Sequence, residues 1–123
     1  MKNLKLLLLL ISLCFIGCKE GTKQPEWKMG IQTYTFHKFT LMETLDKTKD
    51  LGIHYAEAFF SQPLGNNFPD TAYLNFDLSE ETKAQLKKEF KDRDITLYAF
   101  GVASYDTNEE WERFFSFSKD MGV

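Results

Sequence analysis

One carboxylate stands inside an otherwise apolar, strand-like segment, Ile53 to Phe60 (IHYAEAFF). An ionised Glu57 in such surroundings is costly unless it is paired or hydrogen-bonded, and carboxylates in that situation are over-represented at functional sites. Side chains alternate along a strand, so Tyr55, Glu57 and Phe59 share one face. Glu57 can then reach a pocket mouth and accept a hydrogen bond from a substrate hydroxyl. The competing reading is a structural glutamate paired with a lysine or with backbone amides. His37 directly follows a second strand-like segment, Met29 to Phe36 (MGIQTYTF), where a neutral imidazole can meet a hydroxyl or be an ordinary solvated loop histidine. Tyr34 either lines the same pocket or packs as a core tyrosine. His54 sits at the opposite, N-terminal end of its strand and is set aside. Glu57, His37 and Tyr34 are therefore the substrate-binding candidates, and no catalytic residue or metal ligand is assigned with them.

Other chemistries find no support. The strand-to-helix turns lack the glycines of a phosphate loop or dinucleotide fingerprint. No His/Cys set has zinc spacing, and no nucleophile elbow is present. The 123 residues are 43% hydrophobic with 15 basic and 18 acidic side chains, a globular composition with net charge −3. That acidity, which deepens once Lys2 and Lys5 are removed with a leader, argues against nucleic acid as a partner.

The elements that must position these residues alternate regularly. Strands are expected at about 29–36, 53–60 and 95–102, the last reading ITLYAFGV. Helices are expected at about 40–51, 79–92 and 107–121. Thr40 with Glu43 and Thr107 with Glu110 have capping-box spacing, and Ser79 followed by Glu80 and Glu81 opens the middle helix. Leu41, Met42, Leu45 and Thr48 fall on one helical face, as do Leu86 and Phe90. Trp111, Phe114, Phe115, Ser118 and Met121 make a third stripe. The segment Ser61 to Leu78 is a long connection rich in turn formers, expected to act as a lid or substrate-contact loop. Gly101 and Ser104 to Asp106 are expected to border the same pocket.

The joints between units repeat as well. Lys49-Asp-Leu-Gly-Ile53 and Lys119-Asp-Met-Gly-Val123 share one pattern, and Lys91-Asp-Arg-Asp-Ile95 is a degenerate copy. Each puts a turn former before a β-branched residue, as a short helix-to-strand loop requires. Alternating strands and helices imply a parallel sheet with right-handed crossovers. The fold class is thus α/β, with three βα units of a (β/α)8 TIM barrel, a fold that takes about 250 residues in full. The chain is expected to be the N-terminal part of such a barrel rather than a complete small three-layer domain.

The strand GIQTYTF, the joint and strand LGIHYAEAFF with its glutamate, and the strand ITLYAFGV resemble the N-terminal part of the sugar phosphate isomerase/epimerase family, which has the xylose isomerase-like TIM-barrel fold. The resemblance implies metal-dependent aldose–ketose isomerisation or epimerisation of a sugar through an enediolate. It also implies a divalent metal, Mn²⁺, Mg²⁺, Co²⁺ or Zn²⁺, held by two Glu, an Asp and a His from the fourth strand onwards. None of those four positions lies in residues 1–123, so the chain alone is expected to be inactive. The alternative is a non-catalytic lipoprotein fragment or carbohydrate-binding remnant. A phosphodiesterase of the related endonuclease branch fits an acidic, exported protein poorly.

The N-terminus explains the export. After Lys2 and Lys5, the apolar run Leu6–Ile16 is shorter than the roughly 20 residues a spanning helix needs and matches the core of a secretory signal peptide. Phe15-Ile16-Gly17-Cys18 resembles the lipobox of bacterial lipoproteins, with Phe15 where Leu is usual; Cys14 follows bulky Leu13 and is the poorer site. Residues 1–17 are read as the signal peptide, 18–27 as a polar tether and 28–123 as the domain. The partners are then a sugar or sugar derivative and a membrane reached through lipid on Cys18, at the cell envelope. Cys18→Ala is expected to abolish incorporation of labelled palmitate in a bacterial host, whereas Cys14→Ala leaves it unchanged.

Overall fold

The computed structural model describes residues 27–123; the expected signal peptide (1–17), the expected lipidation site Cys18 and nearly all of the expected tether (18–27) lie outside the described residues. Strand β1 (Gly30–Gln32) leads through a 3-10 turn (Thr33–Phe36) to helix α1 (Leu41–Asp50). Strand β2 (Tyr55–Ala58), helix α2 (Glu80–Asp92), strand β3 (Thr96–Phe100) and helix α3 (Asn108–Asp120) follow. The strands form one parallel sheet in the order β1-β2-β3, so three βα units are laid side by side in chain order. The sheet is open, and among the described residues nothing pairs the outer edges of β1 and β3.

Helices cover one face of this sheet. Ala56, Ala58 and Leu97 point to that side and pack in one core with Leu41, Met42 and Leu45 of α1, Leu86 and Phe90 of α2, and Phe117 and Met121 of α3. Each such large side chain removed from water contributes about 1.5–3 kcal/mol, and the small alanines let the helices approach the strand. The expected α1 and α2 faces are the buried ones. In α3 the stripe runs Phe114, Phe117, Ser118, Met121, while Phe115 is 62% exposed. Phe115 is one position, or about 100°, away from the i, i+3, i+4, i+7 series that Phe114 begins. Phe117, absent from the expected stripe, takes its place.

Local chemistry sets the helix boundaries. Both capping boxes form: the Thr40 and Thr107 hydroxyls accept from the amides of Glu43 and Glu110, whose carboxylates take the cap residues' own N–H groups. Ser79 caps α2 by accepting from the Thr82 amide. The three joints also share one geometry. Gly52, Asp94 and Gly122 are all left-handed, at φ of 69°, 56° and 90°. In each, the following N–H returns to a carbonyl of the last helical turn: Ile53 to Thr48, Ile95 to Phe90, Val123 to Ser118. These are Schellman closures, and the left-handed position is cheapest for glycine.

Two segments differ from expectation. Residues 29–36 are not one strand, because extended backbone ends at Gln32 and Thr33–Phe36 turns as 3-10. The reason lies in buried Thr33, whose hydroxyl accepts from the Phe59 amide at 3.3 Å and replaces a ladder bond with a side-chain one. Tyr34 therefore belongs to a turn rather than to a strand. The long connection after β2, expected to be a lid or substrate-contact loop, also serves as a brace for α1. Leu64, Phe68 and Leu74 are buried in it, and the carbonyls of Pro63 and Leu64 accept from the first amides of α1, Leu41 and Met42. Buried Gln62 donates to the Phe39 carbonyl and to the Thr44 hydroxyl.

Helices α2 and α3 are also tied electrostatically. Lys83 and Lys87 both reach Asp120, at 2.5 and 3.3 Å. Hydrogen bonding from Lys83, then from Lys87, holds the Asp120 carboxyl below its ordinary value of 3.8. A depressed folded-state pKa gives stability that is present above the unfolded value and lost as pH falls through the folded one. Asp120→Asn is accordingly expected to make acid unfolding below about pH 4 less steep, as followed by circular dichroism. Space around Gly52 is open, so only its backbone conformation resists substitution. Gly52→Ala should cost about 1–2 kcal/mol. Asp94→Gly should add about 0.5 kcal/mol, glycine's larger unfolded entropy offsetting part of the relief. Urea midpoints of the two variants check both signs.

Candidate functional site

The face of the sheet away from the helices carries the polar groups. Parallel pairing sets Gln32 of β1 directly opposite Glu57 of β2, so both side chains emerge together. Gln32 Nε2 donates to Glu57 Oε1 at 3.1 Å. Between β2 and β3 the register shifts: Ala56 faces Leu97, but Glu57 faces Ala99, leaving Tyr98 as an extra residue. Such irregularities re-aim side chains, and here the Tyr98 hydroxyl lies 3.5 Å from Glu57 Oε2, at the limit of a hydrogen bond. The Tyr98 ring extends across the sheet to Gly30 of β1. Glu57 is half-buried, and among the described residues its side-chain partners are Gln32 and Tyr98 rather than a lysine or backbone amides.

Beyond the C-terminal ends of the strands lies a cleft of ≈ 510 Å³, bordered by Gln32, Tyr34, Phe59, Ser61, Val102 and Tyr105. Tyr34 is 55% exposed, stands edge-on to Phe59 with ring centroids 5.1 Å apart, and is not a packed core tyrosine. His37 stacks on it at 4.8 Å and 18°. Its Nδ1 lies 3.0 Å from the Tyr34 carbonyl oxygen. A carbonyl only accepts, so Nδ1 carries the proton, and a neutral imidazole keeps Nε2 as a free acceptor. The three candidates thus occupy one end of the sheet but not one wall. Tyr34 borders the cleft, His37 backs it, and Glu57 meets it through Gln32.

The strand exits are strained where they form the cleft. Ser61 and Val102 have φ of 69° and 51°, a left-handed conformation that is a marked outlier for β-branched valine and that concentrates at functional sites. Tyr105, expected at the border, is there. Burial, then the nearby Glu110, pushes its phenol above the ordinary value of 10.0, so it is a neutral hydrogen-bond donor at physiological pH. A larger groove of ≈ 680 Å³ runs on the outer surface between α2 and α3. Two of its cations, Lys83 and Arg113, are already paired with Glu80, Asp120 and Asp77, and the groove lies on the helix side, away from the strand ends.

Sequence reasoning missed Gln32 and Tyr98. Gln32 was accessible, being the polar residue in a β-branched and aromatic segment and on the same face as Gly30. Tyr98 was not, because only the register shift turns it beside Glu57. Gly101, expected to border the pocket, lies against the Glu57 carboxylate, a proximity that no local pattern signals. The divalent metal implied by the resemblance does not fit the described residues alone: no three His, Cys, Asp or Glu side chains converge among them.

A crystal structure of an uncharacterized protein from Parabacteroides distasonis ATCC 8503 is 62% identical over 79% of this chain, with a TM-score of 0.77. The match covers 40% of that protein, so the chain spans well under half the length of the solved relative. No protein-family model matches the sequence, and no curated protein does. Among the described residues no helix is long and apolar enough to cross a membrane.

Proposed function

We propose that the chain carries the first three βα units of a sugar phosphate isomerase/epimerase-like domain, tethered to the cell envelope by lipid on Cys18. Its cleft would receive a sugar, sugar acid or polyol. The observation that carries this reading is the Glu57 carboxylate. It is fixed by Gln32 on the sheet face free of helices, at the strand ends where barrel enzymes keep their sites.

Each neighbouring group suits a polyhydroxylic ligand. Glu57 Oε2 can accept a hydrogen bond from a ligand hydroxyl, and the carbonyl oxygen of the Gln32 amide is a second acceptor. The Tyr105 phenol donates. Tyr34 and Phe59, edge to face, offer aromatic surface to the C–H face of a sugar ring. Catalysis of isomerisation or epimerisation is proposed for the whole protein, with the divalent metal held by groups beyond the described residues. This chain contributes recognition of hydroxyls and no turnover of its own.

A charge-assisted hydrogen bond contributes about 1.5–3 kcal/mol, and each 1.4 kcal/mol is about tenfold in affinity. Glu57→Gln is therefore expected to weaken binding of the best ligand in an aldose, ketose and polyol panel by about tenfold or more. Titration calorimetry measures the affinity, and chemical shifts at Gln32 and Tyr34 locate the ligand. Undiminished affinity in Glu57→Gln, or saturable shifts confined to other surfaces, would remove Glu57 from the site.

A further inference from the structure

We propose that Gly101 is the positioning residue that aims the Glu57 carboxylate, leaving Oε2 beside the Tyr98 phenol as a seat for one neutral hydroxyl. The seat rests on the sugar-binding reading above; the positioning does not.

A Cβ on Gly101 would lie 1.7 Å from Glu57 Oε1, 2.7 Å from its Cδ and 3.0 Å from Gln32 Nε2. The acid thus occupies the volume that any side chain at position 101 would take. Conformation is not what requires glycine here. Gly52, Gly65 and Gly122 have positive φ, and Gly101 does not. The contrast with Gly52 and Gly122 is complete, since those two are left-handed with open space around them. Gly101 is also fixed, buried and donating its N–H to the Ala58 carbonyl at 2.9 Å. The carboxylate is therefore held between the Gln32 amide on one strand and bare backbone at the end of another.

This clamp uses the two oxygens unequally. Oε1 takes the Gln32 hydrogen bond and lies against Gly101, whereas among the described residues Oε2 has only the Tyr98 hydroxyl at 3.5 Å. One hydroxyl placed there can donate to Oε2 and accept from Tyr98. A fixed negative charge repels phosphate or carboxylate groups, so this position takes the neutral hydroxyl end of a ligand. Any anionic end must lie elsewhere.

A double-mutant cycle tests the positioning without any ligand. Gly101→Ala is expected to lower the unfolding midpoint of the full chain and to shift the Gln32 side-chain amide resonances. In a Glu57→Ala background the same substitution should cost little, because the clashing oxygen is gone. Glu57→Asp, one methylene shorter, should partly rescue Gly101→Ala. If Gly101→Ala alone does not fold, folding of Glu57→Ala/Gly101→Ala as well as Glu57→Ala supports the proposal. Equal costs in both backgrounds, or unmoved Gln32 resonances, overturn it. For the seat, a neutral polyol should bind the wild type and lose at least tenfold in affinity in Tyr98→Phe or Gly101→Ala. Coupling in the cycle with no polyol binding would keep the positioning, overturn the seat and count against the sugar reading.

Discussion

The alternation Ala56-Glu57-Ala58 in the central strand ties the core to the polar face of the sheet. A strand paired on both sides has two faces to satisfy, and successive residues must serve them in turn. Two alanines give the helix layer a flat, close surface, onto which α1, α2 and α3 pack through Leu41, Leu86, Phe117 and their neighbours. The residue between them is then forced to the other face. That residue is an acid, so the geometry that builds the core also delivers a carboxylate to the face that the helices leave free. A register slip of one residue would bury Glu57 under the helices and expose the alanines.

A charge so placed needs partners, and they come from both neighbouring strands. Parallel pairing brings Gln32 alongside, the register shift on the other side brings Tyr98, and the missing side chain of Gly101 makes room. None of these contacts is local in sequence. The cleft beyond them is shaped by strand exits that enter the left-handed region at Ser61 and Val102 and by the aromatic group around Tyr34 and Tyr105. The mouth thus combines a rigid polar floor with a partly aromatic rim.

The connection after β2 has a structural role beside its place at the cleft border. Its turn formers and its length suggest a mobile cover, yet its apolar residues Leu64, Phe68 and Leu74 bury themselves and its carbonyls cap α1. A helix start carries unpaired amides that must be satisfied. Here the capping box and the loop share that task, so the loop is held by the helix it helps to begin.

Features that depend on neighbours a few residues apart are written in the sequence. The capping residues Thr40, Ser79 and Thr107, the faces of α1 and α2, and the joints at Gly52, Asp94 and Gly122 were all legible, because each is a matter of local hydrogen bonding or helical period. Order and parallel pairing of the strands followed from their alternation with helices. Glu57 stood out because a charge in an apolar strand is costly wherever it lies. Packing between distant segments sets where β1 stops, since Thr33 ends it by reaching Phe59, and which of Phe115 and Phe117 is buried. The same packing makes Gln32 and Tyr98 the partners of Glu57 and makes Gly101 a glycine for space rather than for φ. Those outcomes hinge on distances between strands far apart in the chain, which strand register and packing fix and which no local pattern encodes.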